Sequence, residues 1–239
     1  MATMTLDELV SQLGKAYGDA LVTAVLYGSA ASGENVAKKS DVNVLVIVRE
    51  LPLERLRAAG AVSRAWGDGG NPPPLTMTLD EWRSSADVFP MEYADILERH
   101  RVLHGSFPTE GIVVRQEHLR HELEHQARGK LLALRQGVLA AADDERRQLE
   151  LLSASLSTIM VIFRAVLRLH GEKPPTGYEA LSRETARVAG LDADPFVRVV
   201  RHVREEERLK GPATGETLGR YVAGVEALVR HLDRHPAGA

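Results

Sequence analysis

The chain contains no cysteine. That excludes disulfides, cysteine nucleophiles and thiolate metal sites, and it fits a reducing cytoplasm. It carries no excess of basic charge. With a net charge of −3 the bulk field does not predict nucleic-acid binding, although a local patch stays open. No uninterrupted apolar stretch approaches the roughly 20 residues that a membrane helix needs. The longest apolar-rich run, Leu151 to Leu169, is broken by Ser153, Ser155, Ser157, Thr158, Arg164 and Arg168. The N-terminus has Asp7 and Glu8 where a signal peptide would have basic and then apolar residues. There is no internal repeat and no low-complexity tract. A cytoplasmic protein without a membrane partner is expected.

What is present is ordinary globular material. Hydrophobic residues make up 44% of the 239 positions and charged residues 26%. The length suits one large domain or two small ones, each with a proper core. The first half alternates element types. Leu6 to Tyr17 has helical apolar spacing. Leu21 to Tyr27 (LVTAVLY) and Val42 to Val48 (VNVLVIV) are apolar, β-branched runs that predict buried strands. Leu53 to Trp66 predicts a helix, Gly67 to Pro74 (GDGGNPPP) a turn, and Leu75 to Thr78 a short strand. Leu79 to Ser85 begins a short helix capped by Thr78 or Asp80. Pro90 to Ile96 (PMEYADI) fits a strand or the start of a helix, and Arg101 to His104 a last strand.

After Ser106 to Gly111 the pattern becomes helical throughout. Val114 to Leu139, Asp144 to His170, Gly177 to Ala189, Pro195 to Leu209 and Thr214 to Leu232 all suit helices, with Gly or Pro in most breaks. The expected fold class is α+β: a domain with a mixed sheet over residues 1–110, then an all-α helical bundle over 111–239.

One constellation carries chemistry. Gly28 and Ser29 end the first strand, and after eleven intervening residues Asp41-x-Asn43 opens the second, with Gly33 in the loop between. Gly28 lets backbone approach a ligand closely. Ser29 offers a hydroxyl, and the loop N–H groups after it suit phosphate oxygens. Alternation along a strand points positions 41 and 43 the same way. Two oxygen donors side by side suit Mg²⁺.

The stretch YGSAASGENVAKKSDVNVLVIV resembles the polymerase-beta-like nucleotidyltransferase superfamily, in which Gly-Ser is followed by Asp-x-Asp on the next strand and a third carboxylate on a later one. The resemblance covers roughly the first 105 residues. The helical second half is similar to the bundle that follows in small bacterial members. The resemblance implies transfer of a nucleoside monophosphate from an NTP, ATP being the expected one, to an acceptor hydroxyl with two Mg²⁺ ions. By position, Gly28 and Ser29 would hold the triphosphate, and Asp41 and Asn43 would be metal ligands.

The departure is Asn43. Its amide oxygen can coordinate Mg²⁺ but is neutral, and two close dications need charge to offset them. The third carboxylate is also unfixed, because Leu75 to Thr78 (LTMT) has no acid. Glu92 is the first choice, as a mid-strand residue between Met91 and Tyr93, and Asp95 the second. The bland alternatives are a Glu92 ion pair with an arginine such as Arg101 and a helix cap at Asp95. Two functions therefore stay open. One is a Mg²⁺-dependent enzyme using Asp41 and Glu92. The other is a degenerate nucleotidyltransferase fold that binds nucleotide or another protein, as a regulatory or homo-oligomeric module. The acceptor is not legible.

Other clusters are weaker. Lys38 and Lys39 precede Asp41 and suit either a triphosphate or solvent. His118, His121, Glu122 and His125 share a helical face, so zinc is conceivable, but no flanking carboxylate or cysteine set fixes the geometry and an exposed or interdomain helix is expected instead. Arg164 and His170 are expected on a solvated helix face. Arg204 to Lys210 (REEERLK) is expected as a solvated helix with pairs such as Glu206–Lys210.

Overall fold

Local chemistry starts the helices. The Thr5 hydroxyl accepts the Glu8 N–H at 3.2 Å while the Glu8 carboxylate accepts the Thr5 N–H at 2.8 Å. Helix α1 (Leu6–Tyr17) follows. The same reciprocal pair, Thr78 with Glu81, opens α4 (Leu79–Ser84). The chain divides into two compact units, Met1–Val114 and Arg115–Ala239. The computed structural model describes residues 4–32 and 42–235.

The first unit is built on a four-stranded mixed sheet in the order β3-β2-β1-β4. Its strands are β1 (Leu21–Tyr27), β2 (Asn43–Val48), β3 (Leu75–Thr78) and β4 (His100–Gly105). β1 pairs antiparallel with both β2 and β4, and β3 runs parallel to β2. The single turn α2 (Ser29–Ser32) follows β1, and α3 (Leu53–Gly67) crosses from β2 to β3. α5 (Pro90–Glu98) leads into β4.

Alternation along β2 sorts its side chains onto two faces. Val44, Val46 and Val48 pack with Leu9, Leu13 and Tyr17 of α1 and with Val62 and Trp66 of α3. Leu45 and Ile47 point the other way, to Val25 of β1, Trp82 of α4, and Tyr93 and Ile96 of α5. Both faces are covered, so β2 is apolar almost throughout. Each large apolar side chain fully buried here contributes about 1.5–3 kcal/mol.

The second unit is all helix among the described residues: α6 (Gln116–Ala141), α7 (Glu145–Leu169), α8 (Tyr178–Ala189), α9 (Asp194–Val203) and α10 (Pro212–Arg234). α7 is the centre. Asp144 caps it by accepting the Arg147 N–H at 3.1 Å. Leu152, Ile159, Met160, Phe163 and Val166 are buried along it. Among the described residues it is the one helix long and apolar enough to cross a membrane, with a mean hydropathy of 1.7 over its most apolar stretch. Here that apolarity is spent on packing, since α6, α8, α9 and α10 all lie against α7.

α9 is shorter than the sequence predicts. It stops at Val203, and Glu205 takes a left-handed φ of 62°. Arg204 to Lys210 is therefore not a helix, and the expected Glu206–Lys210 spacing pair has no helix to sit on. The chain turns back on itself instead. Glu207 reaches Arg198 at 3.0 Å, and the N–H groups of Glu206 and Glu207 both bind the Arg201 carbonyl.

Close packing makes one small residue consequential. A Cβ on Gly224 of α10 would lie 2.6 Å from Phe196 Cε2 and 2.7 Å from its Cζ. That ring already packs edge-on to Phe163 and tilted against Tyr221, so it has little room to yield. Gly224→Ala is expected to cost about 1–3 kcal/mol by overpacking. The check is a lower midpoint for helix unfolding in far-ultraviolet circular dichroism.

Candidate functional site

Gly28 turns the chain out of β1 with φ at 75°, a conformation that glycine adopts without strain. Its carbonyl accepts the Ala31 N–H at 3.1 Å, closing α2. Ser29 is the first residue of α2. Asn43 is half-buried, opens β2 and pairs with Tyr27. The Asn43 amide nitrogen lies 3.5 Å from where a Cβ on Gly28 would be. So the Gly28 turn and the Asn43 side chain are neighbours at one end of the sheet. Asp41, Lys38, Lys39 and Gly33 lie outside the described residues.

Strand parity then says which face matters. Asn43 alternates with Leu45 and Ile47, and Tyr27 with Val25, so both belong to the face covered by α4 and α5. Burial pushes the Tyr27 hydroxyl above its ordinary pKa, and the negative charges of Glu92 and then Asp95 push it further. The acids of α5 thus act on the end of β1 that carries Gly28.

The placing of Glu92 between strand neighbours is corrected. PMEYADI is helical, with Pro90 in the first turn, where its missing N–H costs nothing. Met91 and Tyr93 are buried, whereas Glu92 is exposed in that first turn. Asp95 binds Arg99 at 2.6 Å across one helical turn and does not cap a helix. β3 has no acid to offer, and its threonines and Met77 are half-buried.

The histidines of α6 lie as an exposed helix would place them. His121 and His125 are exposed on α6, and His118 is half-buried. Among the described residues, the one group of three metal-ligating side chains that comes together is His170, His231 and His235, all half-buried, with one ligand atom from each within 4.8 Å of the others. The His170 and His231 Nε2 atoms are 2.9 Å apart, and the His170 and His235 rings meet edge to face at 4.8 Å. Burial first, then the neighbouring His170 and His235, hold His231 below the ordinary imidazole range; His235 shifts the same way, from burial first, then His170 and Arg120. Arg164 is not on a solvated face. It is buried, with its guanidinium 5.5 Å from the centre of the Tyr178 ring.

No protein-family model matches this chain, and no curated protein matches it significantly.

The histidine group was half legible. His231 lies in the last turn of α10 and His235 caps its end, a four-residue spacing visible in HLDRH. His170 lies 61 residues earlier and is brought in only by the packing of α7 against α10.

Proposed function

We propose that the first unit binds a nucleoside triphosphate with Mg²⁺ and transfers its nucleoside monophosphate to an acceptor hydroxyl, releasing pyrophosphate. The observation that carries this reading is the end of the sheet. Gly28, in a left-handed turn, sits against the Asn43 side chain, and Tyr27, the strand partner of Asn43 on the face that α5 covers, feels the charges of Glu92 and Asp95. An amide oxygen and a carboxylate are hard oxygen donors, the kind Mg²⁺ takes while keeping waters and substrate phosphates in its other positions. Asn43 and Glu92 would hold the ion with Asp41, and Asp95, tied to Arg99, would add negative charge behind them. The bound ion would neutralise charge that develops on the phosphates. Gly28 and Ser29 would give the triphosphate backbone N–H and hydroxyl partners. The contribution of these residues is positioning: they hold the α-phosphorus in line with the acceptor oxygen. The proposed protein works in the cytoplasm, where ATP and Mg²⁺ are both plentiful.

A second reading has its own support. Asn43 is neutral, β3 lacks an acid and Glu92 is exposed on a helix. Those features favour a nucleotide-binding module without turnover. One experiment separates them. ATP with Mg²⁺ should raise the Tm of the full chain, Asp41→Ala should abolish that rise, and α-labelled ATP should release pyrophosphate when acceptors are supplied. A Tm rise without pyrophosphate supports the module. No rise with any of the four NTPs ends both.

A further inference from the structure

We propose that the second unit holds a transition-metal ion of the Zn²⁺ type on His170, His231 and His235. The donor set chooses the class of metal. Three imidazoles with no carboxylate among them suit Zn²⁺, Co²⁺ or Ni²⁺ and are poor ligands for Mg²⁺ or Ca²⁺, which want oxygen. The site therefore has a different chemistry from the oxygen site proposed in the first unit, and the two stand or fall separately.

The geometry is close to that of a three-histidine centre. Tetrahedral bonds of 2.0–2.1 Å put ligand nitrogens about 3.3–3.4 Å apart. The three ligand atoms here lie within 4.8 Å of one another, and one pair is at 2.9 Å. Small side-chain rotations bring all three onto one ion. Without metal, one of the two facing Nε2 atoms must donate a proton to the other. Binding shifts that proton to the far ring nitrogen, so both Nε2 lone pairs face the metal and no net proton is lost.

The backbone beneath each ligand is fixed. The His170 N–H binds the Val166 and Leu167 carbonyls at 3.2 and 3.0 Å, and Gly171 and Glu172 close the end of α7 onto Arg168 and Leu167. At the end of α10, Arg120 of α6 donates to the His235 carbonyl at 2.9 Å and the Leu232 carbonyl at 3.4 Å. Electrostatics also favour a cation, because two helix C-termini with their partial negative charge meet here. Arg120 opposes it, but Glu124 lies 3.5 Å from that guanidinium. Three protein ligands leave one position for water or for an oxygen or nitrogen of a small ligand. The ion would pin the end of α7 to the end of α10.

The test uses the full chain without an affinity tag, stripped with chelator. CoCl₂ should give the visible absorption bands of tetrahedral Co²⁺ at one ion per chain. ZnCl₂ should displace it and raise the Tm, and MgCl₂ should do neither. His170→Ala and His231→Ala should each weaken Zn²⁺ binding by more than the roughly 10–100-fold that loss of an outer-shell group costs. His121→Ala with His125→Ala, on the exposed face of α6, should leave it unchanged. If an alanine variant fails to fold by circular dichroism, His170→Gln and His231→Gln replace it. Absence of the one-to-one Co²⁺ spectrum in the wild-type chain overturns the proposal. So does binding that survives in the His170 and His231 variants or disappears with the α6 pair.

Discussion

Asn43→Asp is expected to raise the proposed Mg²⁺-dependent nucleotidyl transfer by about 10- to 100-fold, equal to about 1.4–2.7 kcal/mol of barrier. Asp41→Ala is expected to abolish it. The substitution at 43 is nearly isosteric, so the pairing of Asn43 with Tyr27 and the contact with the Gly28 turn should survive. What changes is one unit of charge where two dications would be held. The local field gives the prediction a second signature. Glu92 and Asp95 already press negative charge on Tyr27, the strand partner of position 43. Without Mg²⁺ an added carboxylate would meet like charges, so the variant should have a lower Tm than the wild type. Mg²⁺ should recover that loss. Initial rates of pyrophosphate release and Tm, each measured against Mg²⁺ concentration, check both halves. A variant with no gain in rate and no new Mg²⁺ dependence would place position 43 outside any metal site and leave only the non-catalytic module.

The sheet was legible because its two central strands are dictated locally. LVTAVLY and VNVLVIV are β-branched apolar runs, and each became a strand with its alternate residues on opposite faces. The bundle was legible through helical periodicity and through caps such as Asp144. PMEYADI was ambiguous because Met91 and Tyr93 alternate like strand residues while Tyr93 and Ile96 are spaced like helix residues. Packing decided it. The Tyr93 ring stacks on Trp82 at 4.2 Å, and its hydroxyl donates to the Trp82 carbonyl at 2.7 Å, contacts that no local pattern announces. REEERLK has helical propensity, yet the chain turns back at Glu205, and Glu207 then meets Arg198 across the turn, a contact between residues outside the local pattern. At the candidate site, the positions of Gly28 and Asn43 were legible because they follow from strand ends. The approach of α5 and the meeting of three histidines are tertiary facts.

Trp82→Ala is expected to destabilise the first unit by about 3–5 kcal/mol. Trp82 is fully buried, stacked on Tyr93 and tilted against Phe107 at 5.3 Å. Its indole N–H donates to the Pro108 carbonyl at 2.8 Å. Truncation opens a cavity between α4, α5 and the sheet, and it leaves that carbonyl without its donor. Trp82→Phe keeps most of the packing and loses the hydrogen bond, so a smaller loss of about 1–2 kcal/mol is expected. The measurement is clean because the chain has two tryptophans and both belong to the first unit. In Trp82→Ala the remaining Trp66, itself buried on the opposite face of the sheet, reports that unit alone. Its fluorescence should shift at a lower urea concentration, while the helical signal of α6 to α10 keeps its own midpoint. The functional consequence follows from the same contacts. Trp82 is what Tyr93 stacks on, and Tyr93 anchors the helix that carries Glu92 and Asp95. Below its unfolding midpoint the variant should therefore also lose the proposed Mg²⁺·ATP binding. An unchanged midpoint would mean that α5 is held by something other than this stack, and the assignment of Glu92 to the site would lose its structural basis.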